Sequence, residues 1–128
     1  PWAGGHHGPP GLAGAARFRM LEVLESAAPE TRMGISEVAA AIGVDQPRAS
    51  RLVNDAAERG LVLRSADPRD ARRSVIALTD AGQALLDSAR ASRRSAVTEA
   101  LAGFTDDETQ ALAALLTRLA AAWPQAPR

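Results

Sequence analysis

The chain has 128 residues, 15 basic and 15 acidic side chains, a formal net charge of zero, 46% hydrophobic residues and no cysteine. That length carries one domain with a proper core and no need of a staple. The absent thiols exclude a disulfide framework, a thiolate metal site, a cysteine nucleophile and thiol-based oxidant sensing.

Residues 1–11 are rich in Gly, Pro and His and read as a loosely attached tail. A start at Pro1 suggests a fragment or a processed product, and the opening residues lack the basic start and apolar stretch of a secretory signal. From about Leu12 to Ala27, Phe18, Leu21 and Leu24 recur at three-residue spacing, with Met20 and Val23 widening the stripe, which predicts a helix. Pro29 ends it. Ser36 is then expected as an N-cap, and Ile35, Val38, Ala39 and Ile42 mark one buried face up to a stop at Gly43. Asp45 can cap the next helix, Pro47 suits its first turn, and Ala49, Leu52, Val53 and Ala56 form its inner stripe up to Gly60. Two short helices joined by a tight turn are a helix-turn-helix layout.

Leu61–Ser65 reads as a strand, 66–73 as a charged loop and Ser74–Leu78 as a second strand, a hairpin placed where a wing would be. Thr79 caps a long helix over about 80–102, which Gly103 breaks. Thr105 and Glu108 have capping-box spacing, and Leu112, Leu115, Leu116, Leu119 and Trp123 form one apolar stripe on the last helix, closed by Pro124. The expected fold is mainly α: a winged helix-turn-helix with a two-stranded β-hairpin wing and C-terminal dimerisation helices. Its parts are a tail at 1–11, the winged-helix region at 12–79, the dimerisation helices at 80–123 and a second tail at 124–128.

Zero net charge argues against nucleic acid until its distribution is considered. Every basic residue is arginine, and the segment 46–73 holds seven arginines against four carboxylates, a net +3. The outward face of the second helix of the pair presents Gln46, Pro47, Ser50, Arg51 and Asn54, with Arg48 at its flank. Such side chains suit base edges in a major groove: Arg51 for guanine, Asn54 or Gln46 for adenine, Ser50 and Arg48 for phosphates. Arg69, Arg72 and Arg73 in the wing suit a narrow minor groove. Asp67 and Asp70 in the same loop are expected to fix its shape, one of them by pairing with an arginine. Double-stranded DNA is therefore the expected partner.

These residues also resemble the MarR family of bacterial regulators. The carrying stretches are Ile35-Ser36-Glu37-Val38-Ala39, Ile42-Gly43-Val44, Ser50-Arg51-Leu52-Val53, Glu58-Arg59-Gly60-Leu61-Val62, Asp67-Pro68-Arg69-Asp70-Ala71-Arg72-Arg73 and Leu78-Thr79-Asp80-Ala81-Gly82. With the flanking helices the likeness covers roughly residues 12 to 123. The resemblance implies a homodimer on a palindromic operator, recognition helices in successive major grooves, wings in flanking minor grooves, and repression relieved by a small ligand. It places Arg69 and Arg72 on functional wing positions, and Ser50 and Arg51 on the recognition helix. The family ordinarily has a full helix ahead of the one at 12–27; only the eleven-residue tail stands there. Dimer formation is then expected from Leu112, Leu115, Leu116, Leu119 and Trp123, against the alternative that this stripe packs within its own chain.

Other classes find less support. Both histidines, His6 and His7, lie in the tail and read as solvent-exposed, so no metal, no cofactor and no catalytic set is expected. Aromatics make up only 3% of the chain, which disfavours an aromatic-lined pocket for a phenolic effector and leaves any effector unidentified. No apolar run reaches the roughly 18 residues of a membrane span, and the expected location is cytoplasmic. The alternative function is a winged-helix protein-interaction module without specific DNA binding.

Overall fold

Among the described residues, five helices and one hairpin follow in the order α1 (Leu12–Ser26), α2 (Ile35–Ile42), α3 (Gln46–Glu58), β1 (Val62–Asp67), β2 (Asp70–Leu78), α4 (Asp80–Ala100) and α5 (Asp106–Ala122). The computed structural model describes residues 12–28 and 30–124; the tail 1–11, with His6 and His7, and residues 125–128 lie outside them. The protein is mainly helical, with one two-stranded antiparallel sheet. It divides into two units, 1–89 and 90–128.

The first unit is built around one core. Met20, Leu21 and Leu24 from α1 meet Val38 and Ile42 from α2, Val53 and Ala56 from α3, Val62 and Ile76 from the hairpin, and Leu86 from α4. Each fully buried aliphatic side chain of this kind contributes about 1.5–3 kcal/mol, so these contacts fix how α3 and the hairpin stand on α1 and α2. Gly43 ends α2 at φ 73°, the left-handed conformation in which a side chain is strained. Gly82 allows a close approach at the start of α4: a Cβ there would lie 2.2 Å from the Leu61 carbonyl oxygen. Thr79 caps α4, accepting from the Gly82 N–H at 3.1 Å while its hydroxyl donates to the Gly60 carbonyl at 2.6 Å.

Two local expectations change. The N-cap of α2 is Gly34, not Ser36: the Glu37 carboxylate reaches back to accept the Gly34 N–H at 3.2 Å, and Ser36 lies within the helix. The eight-residue loop expected at 66–73 is also much shorter. The strands pair in register from Val62↔Leu78 to Ala66↔Ser74, then shift so that Asp67 faces Asp70. Only Pro68 and Arg69 form the turn, and Ala71, Arg72 and Arg73 make a bulge in β2 with no residue of β1 opposite them. Polar residues on both faces suggested a loop. Residues 68–72 at the tip are exposed, and a strand segment in solvent has no need of the apolar alternation that marks a half-buried strand.

In the second unit, residues 101–104 turn the chain between α4 and α5. The capping box at the start of α5 is formed: Glu108 N–H donates to Thr105 Oγ1 at 3.2 Å, and Thr105 N–H to Glu108 Oε1 at 2.9 Å. The Thr105 backbone N–H first, then the Thr105 hydroxyl, hold the Glu108 carboxyl below its ordinary range. None of the described residues from 90 to 124 is buried. No helix among the described residues is long and apolar enough to cross a membrane.

Candidate nucleic-acid interface

Helix α3 starts from a well-made cap. Asp45 Oδ1 accepts the Arg48 N–H at 2.8 Å, and Pro47 stands in the first turn, where a missing N–H leaves nothing unsatisfied. Ala49, Val53 and Ala56 are buried, which turns Pro47, Arg51 and Asn54 outward, with half-buried Ser50 and exposed Arg48 flanking them. Gln46 is also exposed, and its Nε2 donates to Ser36 Oγ at 3.0 Å, tying the first turn of α3 to α2.

The hairpin is fastened to this pair of helices at two levels. Near its tip, Asp67 is the buried carboxylate. It accepts the Arg69 N–H at 2.9 Å, which shapes the turn, and the Arg32 guanidinium at 3.1 Å; the Arg73 guanidinium lies 3.9 Å away. The Arg69 N–H first, then Arg32 and Arg73, hold its carboxyl below the usual aspartate range against the opposing effect of burial. Arg73 donates to the Arg32 carbonyl at 2.7 Å and pairs with Glu37 of α2. Lower down, Arg64 of β1 donates from Nη1 to Asn54 Oδ1 at 2.6 Å and from Nε to Ser74 Oγ at 3.1 Å. Asp70 accepts the Arg72 N–H at 3.0 Å and so orders the strand just after the turn.

These contacts leave a particular remainder. Among the described residues of α3 and the hairpin, the guanidinium groups of Arg48, Arg51, Arg69 and Arg72 have no ion-pair or hydrogen-bond partner, as is also true of Arg19, Arg94 and Arg118 elsewhere, whereas those of Arg17, Arg32, Arg59 and Arg73 sit beside carboxylates. The four on α3 and the hairpin are all exposed. The flank of α3 facing α1 carries a cleft of about 460 Å³ lined by Arg17, Arg48, Arg51, Leu52 and Asp55. There Arg17 Nε is buried 3.5 Å from Asp55 Oδ2, a carboxylate that also accepts from Arg59 Nε at 3.2 Å.

Residues 11–73, which hold this arrangement, match the model of the MarR family. The chain belongs to the MarR family. Solved structures of similar shape include the YusO protein of Bacillus subtilis, at 22% identity over 84% of this chain and 74% of that one, with a TM-score of 0.76. A complex of Staphylococcus aureus MepR with DNA matches at 20% identity, 85% and 80% coverage and a TM-score of 0.69. BpsR of Bordetella bronchiseptica, whose DNA binding is regulated by 6-hydroxynicotinic acid, matches at 25% identity, 84% and 75% coverage and a TM-score of 0.56. The MarR winged helix here is the fold expected from the sequence.

The structure brings Gln46, Pro47, Arg48, Ser50, Arg51 and Asn54 onto one helix and stands Arg69, Arg72 and Arg73 beside it on the hairpin. It separates the two neighbouring arginines of the bulge: Arg72 is free, while Arg73 is turned back onto Glu37. Sequence reasoning missed the supporting roles of Arg32, Glu37 and Arg64. Their partners lie 35, 36 and 10 residues away, and no periodicity reports such pairings. In the second unit Leu112 is half-buried, and Leu115, Leu116, Leu119 and Trp123 are 53% to 64% exposed.

Proposed function

We propose that this MarR-family protein is a sequence-specific DNA-binding transcriptional regulator, a repressor that binds a palindromic operator as a homodimer in the cytoplasm and carries no catalytic site. The observation that carries the reading is the cluster of four unpaired arginines on α3 and the hairpin. Arg48 and Arg51 on α3, and Arg69 and Arg72 on the hairpin, remain uncompensated where neighbouring arginines have carboxylate partners. Uncompensated charge on one helix and one wing suits phosphates and groove edges, and it makes net neutrality of the whole chain irrelevant to binding.

In this reading α3 enters a major groove, with Arg51 on a guanine, Gln46 on an adjacent base, and Arg48 and Ser50 on phosphates. Pro47 fixes the first turn, and Arg69 and Arg72 reach a minor groove. Asp67 and Asp70 shape the tip, and Arg73 serves as the strut that joins it to α2. The exposed stripe of Leu115, Leu116, Leu119 and Trp123, with Leu112 at its edge, pairs two copies of the chain. A two-fold dimer then presents two recognition helices to half-sites about one helical turn apart. A small-molecule effector, as for BpsR, would act by shifting that spacing.

Fluorescence anisotropy tests the reading. A labelled duplex from upstream of the protein's own gene is titrated at two salt concentrations beside a scrambled control. Selective binding that weakens steeply with salt is the expected result, with Arg72→Ala lowering the logarithmic salt slope by about one contact's worth. A dimeric sample that binds every duplex alike, or none, supports a protein-interaction module instead.

A further inference from the structure

Arg64 is not a base-reading residue by position, since it lies on β1 and pairs across the hairpin with Ile76. Yet its guanidinium holds the one base-facing amide of the second half of α3. Nη1 stands 2.6 Å from Asn54 Oδ1, while Nε is anchored on half-buried Ser74 at 3.1 Å. A guanidinium has donors only. The atom it meets must therefore be the carboxamide oxygen, and the NH₂ group of Asn54 points elsewhere. The bond is charge-assisted, hence stronger than a neutral one.

An asparagine reads adenine by accepting from N6–H and donating to N7 at once. Here the acceptor half of that pair is already engaged. A base donor approaching the remaining lone pair of Oδ1 would also face the positive guanidinium. What the Asn54–Arg64 pair offers a base is N–H groups on a cationic support. The major-groove edge that matches is guanine, with two acceptors at N7 and O6; adenine places a donor where a second acceptor is needed.

We infer that Arg64 is a positioning residue that sets the hydrogen-bond polarity of Asn54, so that this position of the recognition helix selects guanine and rejects adenine. The inference rests on the proposed DNA-binding function and adds a determinant of its specificity. It also divides labour along α3: Gln46, whose Oε1 is left open by its bond to Ser36, keeps both a donor and an acceptor and remains the adenine reader.

The test uses the parent protein, Asn54→Ala, Arg64→Ala and Arg64→Met, the last keeping the packing of the stem while removing every donor. Each is titrated against duplexes carrying all four base pairs at each operator position in turn. Asn54→Ala should abolish discrimination at one position, and there the parent should prefer guanine to adenine by about tenfold. Both Arg64 variants should erase or invert that ratio at that position alone, while their loss of charge weakens all duplexes equally. An adenine preference in the parent, an unchanged ratio in the Arg64 variants, or no position that responds to Asn54→Ala overturns the inference. A side-chain amide NMR measurement on the DNA-free protein keeps the two readings apart. If the parent selects no duplex, the regulator reading fails and the specificity claim falls with it; the Asn54–Arg64 contact is then judged separately, by an Asn54 amide that is ordered in the parent and mobile in both Arg64 variants.

Discussion

The two units draw on the same apolar residues and use them in opposite ways. In the first, Met20, Leu21, Val38, Val53 and Leu86 are completely covered. In the second, the leucines of α5 recur at equally regular spacing, yet nothing from 90 to 124 is buried. The contrast teaches that periodicity specifies a face and leaves open what covers it. The first unit supplies several elements to one another. The second has two helical segments, each about 10–12 Å across, too few to enclose a core. On the proposed reading, a second copy of the chain covers its apolar face.

The largest effect expected follows from breaking that second copy away. Leu116→Glu with Leu119→Glu should leave the first unit folded and convert a dimer to a monomer in sedimentation. Operator affinity should fall by about 10²–10⁴-fold, as the second half-site ceases to bind intramolecularly. An unchanged sedimentation coefficient would mean that α5 is not the interface. Next, Leu86→Ala should destabilise the first unit by about 2–5 kcal/mol in urea titration, because it opens a cavity at a fully covered site. The same truncation at exposed Leu115 should change the isolated fold little, and equal losses at both sites would erase the distinction between the units. Thr105→Ala should cost about 1 kcal/mol by removing the α5 cap, with faster amide exchange confined to the first turn of α5. A smaller, pH-dependent loosening is expected at the hairpin. The folded Asp67 carboxyl titrates below its unfolded range, so its contribution is fully present above the unfolded pKa and is lost as pH falls through the folded one. Stability of the parent over Asp67→Asn should therefore shrink on acidification, and a difference that grows toward low pH would reverse the assignment.

Much of the fold was legible because local rules act alone at many positions. Asp45, Thr105 and Gly43 specify helix ends within three or four residues of themselves, and the stripes of α1, α2 and α3 name their own buried faces. The outward residues of α3 follow from those stripes by elimination. What could not be read depends on chain-distant company. The bulge at 71–73 looks like a loop until its partner strand is placed, and only the fold brings Glu37 to Arg73 and Asn54 to Arg64. Adjacent arginines with identical chemistry therefore received identical expectations, whereas the fold leaves Arg72 exposed and engages Arg73.

The double fastening of the hairpin has a consequence for the DNA itself. Asp67 holds its tip to Arg32 ahead of α2, Arg73 ties it to Glu37 of α2, and Arg64 ties β1 to Asn54 of α3, so these bonds oppose movement of the wing against the recognition helix. On the proposed DNA-binding reading, a reader braced in this way resists changes in the distance between its major-groove and minor-groove contacts, and the duplex adjusts instead. Every bound sequence then carries an elastic cost set by how readily the steps between the two contacts bend, twist or narrow. Operator choice acquires a component of stiffness, paid at base pairs no side chain touches.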